Sequence, residues 1–497
     1  MRSVDEEQEW AHDSHRQRCR IGFHGFRSSL SPTPAPVVSG RARFTVQRLG
    51  AQVETEGSGP VMGEIGVTRS LARPTAYGIA VRAVGMVLSL AVAVFLARRL
   101  AADDLGAYQG ALSICIILGG LAAATAERPA ARRIAALVGD QPDELPREVA
   151  LAHLVAGAAT LAIVLALLAG SFLPALPESA RVIMRVAALT APSIAVLSLR
   201  QWIALPLQGV AASLGPEQIG QPIVFLVVAG LASRQAGLGP FEALVIFALV
   251  SWVIWLASSW RSGLLTLLRD GLRDVPPKSS IRSRFREGRP FVLFTTVGIL
   301  PIYATVPLVA ALLDLADAGR LAIALQLTGL VAVPLQIVSL AILPRCTRLH
   351  RDGETRLLDT LVRSASSISL GLGLVLAAVL LVGLKAFLGV LGPSFAATSD
   401  LIPVLVVGQL INAALGPNGP TMQMIGLERP AAWVETVATV FRLVAVALAA
   451  WMGNIVGVAF AITVSTTLRN LLLSTVLYRR AGILTLPRLP PRRAHQP

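Results

Sequence analysis

Apolar runs of about 20 residues, each long enough to cross roughly 30 Å of hydrocarbon, recur along this chain from about residue 75 onward. In hydrocarbon every backbone N–H and C=O must be bonded within the protein, so such runs commit the chain to helices. Twelve spans are expected, over roughly 75–98, 105–126, 149–172, 182–207, 218–235, 241–264, 290–313, 319–343, 364–388, 400–420, 431–451 and 453–477. With 54% hydrophobic and 15% charged residues, the 497-residue chain reads as an all-α polytopic membrane protein rather than a string of soluble domains.

Two stretches 213 residues apart repeat each other: LARRLAADDLGAYQGALS from Leu96 and VAALLDLADAGRLAIALQ from Val309. Superposed, Ala97 meets Ala310, Leu100 meets Leu313, Asp104 meets Asp317, Gly106 meets Gly319, and Ala111-Leu112 meet Ala324-Leu325. Each copy reads as a hairpin in which an apolar helix runs into a short acidic turn, the glycine reverses the chain, and a second helix returns. Six spans separate the copies, so both halves enter the membrane facing the same way. The expected architecture is two six-helix bundles related by a parallel pseudo-twofold repeat.

The arginines orient the bundle. The tail to Arg73 carries ten Lys/Arg, and Arg128, Arg132, Arg133 and Arg147 follow the second span. The loop after the sixth span holds Arg261, Arg269, Arg273, Lys278, Arg282, Arg284, Arg286 and Arg289, and the loop after the eighth holds Arg345, Arg348, Arg351, Arg356 and Arg363. The opposite loops hold only Arg98, Arg99, Arg181, Arg234, Arg320 and Lys385. The positive-inside rule places both termini in the cytoplasm. The domain plan is a disordered basic tail over 1–71, a first bundle over 72–266, a basic linker over 267–289, a second bundle over 290–480 and a C-terminal tail over 481–497. A natural start at Met62 is an open alternative for the tail.

Several chemistries find no support. Cys19, Cys115 and Cys346 have neither disulfide nor metal-site spacing, and of the six histidines only His153 is near a span. No HExxH, Asp-rich or nucleotide-binding motif occurs, so an enzyme, a metal and a cofactor are not expected. The net charge of +15 sits in tails and loops, where it sets topology, and nucleic acid is not expected as a partner.

Charges inside spans are more telling, because one at the bilayer centre costs about 2.5–3.5 kcal/mol on insertion scales and so faces a cavity or a partner. Arg82 shares a face of the first span with Gly85 and Ser89. Snorkelling from near the cytoplasmic end is its alternative reading, as it is for Arg200 beside Gln201 in the fourth span. In the eleventh span Glu435, Thr439 and Arg442 share a face, and Arg442 is about mid-span. Its alternative is a structural ion pair with Glu435 or with a neighbouring helix. Gln409, Asn412 and Asn418 read as amide glue in the tenth span, where GPNGP should break the helix. Arg82, Arg200, Glu435, Thr439 and Arg442 are the candidates for a substrate-binding cavity. Arginine suits an anionic head group, through paired charge-assisted hydrogen bonds to phosphate.

The stretch FLARRLAADDLGAYQGALSI resembles the first hairpin of the polysaccharide or O-antigen flippases (the Wzx type) of the multidrug/oligosaccharidyl-lipid/polysaccharide exporter superfamily. DLADAGRLAIALQLTGLVAVPLQIVSLAILPRCTRLHRDGE and LGPSFAATSDLIPVLVVGQLINAALGPNGPTMQMIGLERPA extend the resemblance, which covers roughly residues 72–482. It implies a central cavity with alternating access and an undecaprenyl-pyrophosphate-linked oligosaccharide moved from inner to outer leaflet. Membrane lipids and polysaccharide-assembly enzymes are the implied partners of a monomer. The chain departs from the family at Gln326, where members often carry arginine, and its twelve spans differ from the fourteen of the lipid II flippases. Drug exporters of the superfamily typically place an acid in the first span, where this chain has Arg82. A cation-coupled multidrug exporter of the same fold is the alternative, and a membrane-embedded glycan polymerase or ligase and a non-transporting scaffold are weaker ones.

Overall fold

The computed structural model describes residues 64–174, 178–235, 237–274 and 278–487, all within one compact unit, Gly40–Pro497. The described residues are helical and contain no strand. The proposed start at Met62, most of the expected N-terminal tail and the last ten residues fall outside them. Residues 64–71, expected as tail, are already the first turns of α1.

In chain order the first half comprises α1 (Glu64–Arg99), α2 (Ala102–Ala124), α3 (Glu127–Asp140), α4 (Leu145–Ser171), α5 (Glu178–Gly215), a π-helical turn at Pro216–Gly220, α6 (Gln221–Gln235), α7 (Pro240–Arg261) and α8 (Leu264–Arg273). The second comprises α9 (Lys278–Tyr303), α10 (Thr305–Leu312), α11 (Leu315–Gly329), α12 (Val333–Arg351), α13 (Thr355–Leu391), α14 (Leu401–Leu415), α15 (Asn418–Met424), α16 (Glu428–Trp451) and α17 (Ile455–Ala481). Of the residues expected as a linker, 267–273 form most of α8 and 278–289 the first half of α9, which runs on unbroken into the next span. α8 buries Leu264 and Leu267 and leaves its arginines outside, as an amphipathic helix lying along a membrane surface would.

Among the described residues, ten segments are long and apolar enough to cross a membrane, or eleven with the bent pair Phe291–Tyr303 and Thr305–Leu312 taken as one span. One segment, Ala180–Arg234, runs for 55 residues. At 1.5 Å per residue that is roughly 80 Å, far more than one crossing needs. The break is at Gly209, whose φ of 80° puts it outside helical geometry. Beyond it the chain doubles back. The Arg200 guanidinium donates to Ala212 O at 3.2 Å, and Ser213 Oγ donates to Gln201 O at 2.8 Å. In a straight helix residues twelve apart would be separated by roughly 18 Å. Two crossings here bring the total to the twelve expected from the sequence.

The hairpins of the repeat meet at one end of the bundle, and the arginine-rich connections occupy the other. In both hairpins the reversal comes before the glycine, not at it: the chain turns at Leu100-Ala101 and at Leu313-Asp314. Asp103 and Asp104 lie in the first turn of α2, where carboxylates suit the positive end of the helix dipole. Asp314 caps α11, accepting from Asp317 N at 2.6 Å. Gly106 and Gly319 are helical and do something else. A Cβ on Gly106 would collide with Leu315 O, and one on Gly319 with Ala102 O. Those pairs are reciprocal under the 213-residue offset, an arrangement consistent with a twofold relation between the halves.

Around this contact the main apolar core draws Leu96, Leu105 and Tyr108 from the first hairpin and Leu321, Ala324 and Leu327 from the second. Smaller cores lie toward the basic end of each half, around Ile134, Leu199 and Leu267 and around Val362, Met422 and Leu473. Large apolar side chains on the outer flanks, such as Leu161, Val253, Val382 and Val444, are exposed, as hydrocarbon contact requires.

Gly319→Val should force the hairpins apart at a cost of about 1–3 kcal/mol, the range for overpacking. In a variant without native cysteines, Leu105→Cys is buried and should react slowly with maleimide. Adding Gly319→Val should speed that reaction several-fold, and an unchanged rate would show that the glycine contact does not hold this end shut.

Candidate functional site

Two polar clusters lie within the bundle, one in each half. In the first, Arg200 is 3% exposed; its terminal nitrogens are held by Ala212 O and its Nε has no partner. The Gly209 reversal that gives Arg200 this carbonyl also carries the chain into the Pro216–Gly220 turn and places Glu217 nearby. One oxygen of that carboxylate, Oε2, is buried without a hydrogen-bond partner. The charges of Arg82 on α1 and Arg200 both act on it, and Tyr303 of α9 stands within reach of Glu217 and Arg82. Arg82 itself is exposed. Of its expected face, Gly85 fits against Gln218 of the same turn, and Ser89 accepts from Gln326 Nε2 of α11 at 3.0 Å, across the two halves.

On α3, between spans, Glu127 is 5% exposed and accepts from Ser198 Oγ at 3.0 Å. Burial pushes its carboxyl up to about 7; the Ser198 hydrogen bond and Arg128 oppose that rise, and the nearby Glu217 adds to it. Arg128 lies over the Trp202 ring at 5.5 Å and Arg132 over Phe291 at 5.2 Å. Arg133 pairs with Glu287 at 2.9 Å and Arg284 with Glu148 at 2.6 Å, so the basic start of α9 is fastened to α3 and α4.

In the second half, Glu435 forms a two-pronged pair with Arg469 of α17, at 2.6 Å to Nε and 2.5 Å to the second nitrogen. A Glu435–Arg442 pair, the alternative open from sequence, is not the one formed; the partner comes from the next helix. Two turns further along α16, Arg442 has a buried Nε with no partner and feels the positive charge of Arg469. Thr439 is turned into the helix packing, 5% exposed, and donates to Val297 O of α9 at 3.4 Å. The amides of the tenth span work as glue. Asn470 Nδ2 donates to Asn412 Oδ1 at 2.9 Å, and Asn418 Nδ2 to Asn470 O and Ser474 Oγ at 3.2 and 3.0 Å. As expected, GPNGP breaks the helix, between Leu415 and Asn418.

The five sequence candidates therefore fall in two places. Arg82 and Arg200 come together around Glu217, and Glu435, Thr439 and Arg442 stay on one helix with Arg469 added. Glu217, Tyr303 and Arg469 were missed. Arg469 is a charge inside an expected span, so the criterion that selected Arg82 would have selected it; Glu217 falls in the expected connection between 182–207 and 218–235 and was passed over with that loop. The two clusters hold four guanidinium groups and two carboxylates, with one carboxylate consumed by Arg469. That arrangement can bind an anion through charge-assisted hydrogen bonds.

Two outcomes follow. The raised Glu127 carboxyl takes up a proton on folding between about pH 4.5 and 7, so its contribution favours the fold below that window and is lost as pH rises through about 7. Thermal midpoints of the wild type should accordingly fall against those of Glu127→Gln from acid to neutral pH, and parallel curves would contradict the burial argument. Arg469→Met should cost roughly 2 kcal/mol by stranding Glu435, less than for a fully buried pair because both side chains are partly exposed. The double change with Glu435→Leu should recover much of that loss in a denaturation series, and additive losses would show that the two do not act as a pair.

No family model matches the chain, and no curated protein matches it in sequence. Solved structures do match in fold. A multidrug resistance MATE family transporter of the MOP superfamily, in its inward-facing conformation, superposes with a TM-score of 0.67 over 82% of this chain and 98% of its own, at 13% identity. The lipid II flippase MurJ, in an inward closed conformation, gives 0.61 over 79% of this chain and 85% of its own, at 12% identity. A MOP superfamily transporter from Pyrococcus furiosus, described as having a binding pocket of reverse polarity that suggests a different function, gives 0.56 over 89% and 96%, at 13% identity. The chain is a multi-pass membrane protein with the fold of the MOP-superfamily transporters.

Proposed function

We propose that the protein is a flippase that carries an undecaprenyl-pyrophosphate-linked oligosaccharide from the inner to the outer leaflet of the cytoplasmic membrane, for surface polysaccharide assembly. The observation that carries this reading is the excess of guanidinium groups inside the bundle, with Arg442 lacking a partner at Nε and Arg82 exposed and forming no hydrogen bond among the described residues. Arginine pairs with pyrophosphate oxygens in paired charge-assisted bonds, and within a low-dielectric bundle that attraction is strong. The likeness to a lipid II flippase supports a lipid-linked substrate. The basic end faces the cytoplasm, both termini with it, and the protein works as a monomer that alternates the access of its cavity. The arginines of α8 and early α9 form the surface that polysaccharide-assembly enzymes would meet.

The alternative is a cation-coupled multidrug exporter, which the MATE likeness and the Glu217 carboxylate favour. Glu435 does not add to that case, because Arg469 already neutralises it.

The deciding experiment is lipid extraction from a deletion strain, with mass spectrometry for undecaprenyl-pyrophosphate glycans. Complete repeat units should accumulate, and the intact gene should clear them while Arg442→Ala, present at normal membrane level, should not. Unchanged lipids and unchanged surface polysaccharide would transfer the case to drug efflux.

A further inference from the structure

Of the two carboxylates in the clusters, Glu435 is paired with Arg469, and Glu217 is the one that forms no ion pair among the described residues. It is carried on the Pro216–Gly220 turn between α5 and α6, with Oε2 buried and unbonded. No residue in direct contact satisfies that oxygen, yet two guanidinium groups from two helices act on it, Arg82 on α1 and Arg200 on α5. The two differ in freedom. Arg200 is spent on Ala212 O and is 3% exposed. Arg82 is exposed and forms no hydrogen bond or ion pair among the described residues, so it is the group that an incoming anion can reach.

From this geometry we infer that Glu217 is an internal competitor for the anion: it neutralises Arg82 while the site is empty, and a bound phosphate group displaces it. The inference rests on the anion-binding reading of the cluster and adds to it a residue that sets affinity and release. A carboxylate deprived of Arg82, with one oxygen buried, is left uncompensated, and it regains balance either by expelling the anion or by taking up a proton. Protonation then leaves Arg82 to the phosphate, so anion binding tightens as pH falls. By linkage, the factor by which the anion favours the protonated carboxyl equals the factor by which the proton favours the bound anion. Glu217 is a positioning and affinity-setting residue here, not one that contacts the substrate.

The groups facing Glu217 are Arg82 from α1, Arg200 from α5, Tyr303 from α9 and Glu127 from α3. The other two helices packed on its turn, α6 and α7, carry Arg234, Glu242 and Arg261, all at helix ends. The nearest second carboxyl is therefore Glu127, and its removal provides the control for the pH response.

The test is calorimetric titration of inorganic pyrophosphate into the full chain in phosphatidylcholine nanodiscs, with wild type, Glu217→Gln, Glu217→Asp, Glu127→Gln and Arg82→Ala. An opposite charge within reach shifts a carboxyl by one to three pH units, so at about pH 8 Glu217→Gln should bind roughly tenfold or more tightly than wild type. The ratio of the two affinities should shrink as pH falls, because a protonated Glu217 no longer competes for Arg82; taking a ratio cancels the protonation of the probe itself. Glu127→Gln should keep the wild-type response. Equal affinities for wild type and Glu217→Gln at high pH, a ratio that does not change with pH, or no binding by either protein would overturn the competitor role. If Glu217→Gln does not give monodisperse protein, Glu217→Asp, which draws the carboxylate back by one methylene, should still bind more tightly than wild type at high pH, and equal or weaker binding overturns the role. Arg82→Ala separates the two readings. If it binds as wild type does, the anion site itself is misplaced; if it loses binding while Glu217→Gln does not tighten it, only the competitor falls.

Discussion

Two helical hairpins touch backbone to backbone at Gly106 and Gly319, and the arrangement of the halves depends on that contact. Any side chain there would push α2 and α11 apart and disrupt the core that Leu105, Tyr108, Leu321 and Leu327 build around them. In a membrane the lipid is as apolar as the protein interior, so small residues that admit close packing replace the hydrophobic effect as the force joining helices. The meeting point of the hairpins is accordingly where the chain can least tolerate bulk. Arg98 of the first half adds to it, donating to Val390 O of α13 at 3.1 Å, while Arg320 braces Asp317 at 2.8 Å and Ser394 O at 3.2 Å within the second.

The polar interior follows a different logic in each half. In the second, Glu435 and Arg469 satisfy one another in two bonds, and the amides of Asn412, Asn418 and Asn470 tie three helices into a bonded set. In the first, the terminal nitrogens of Arg200 are held by a carbonyl that the Gly209 reversal brings to them, and neither Arg82 nor Oε2 of Glu217 has a hydrogen-bond partner among the described residues. A bonded set holds its helices in place, whereas an unbonded pair of charges answers to whatever enters. α9 is bonded to the second through the Val297 carbonyl, and its Tyr303 lies within electrostatic range of Glu217 and Arg82 in the first.

The span pattern, the two hairpins, the amide glue and the GPNGP break were legible because each rests on composition or local geometry. Two details of the repeat were not. The acidic residues and glycine suggested a turn, yet Asp103, Asp104 and Gly106 are helical, and the reversal is made by the two residues before them. The glycine answers to a partner 213 residues away, which no local reading can weigh. Residues 267–289 looked like a linker because arginines dominate, but a helix with charges on one side keeps them solvated without losing its form. In the candidate site, Arg82, Arg200 and Arg442 stood out as charges in apolar surroundings. Which carboxylate met which arginine was decided by the Gly209 reversal and by the neighbouring α17, and neither is written in the spacing along one helix.

The Arg98 contact has a consequence for how the closed end can change over time. Its guanidinium holds a carbonyl oxygen, so the side chain at position 390 has no part in the bond. Isoleucine, leucine or alanine there would leave the acceptor in place. The receiving half of this fastening is free to drift while the donating half is held, and a pair of positions joined in this way leaves no trace of covariation.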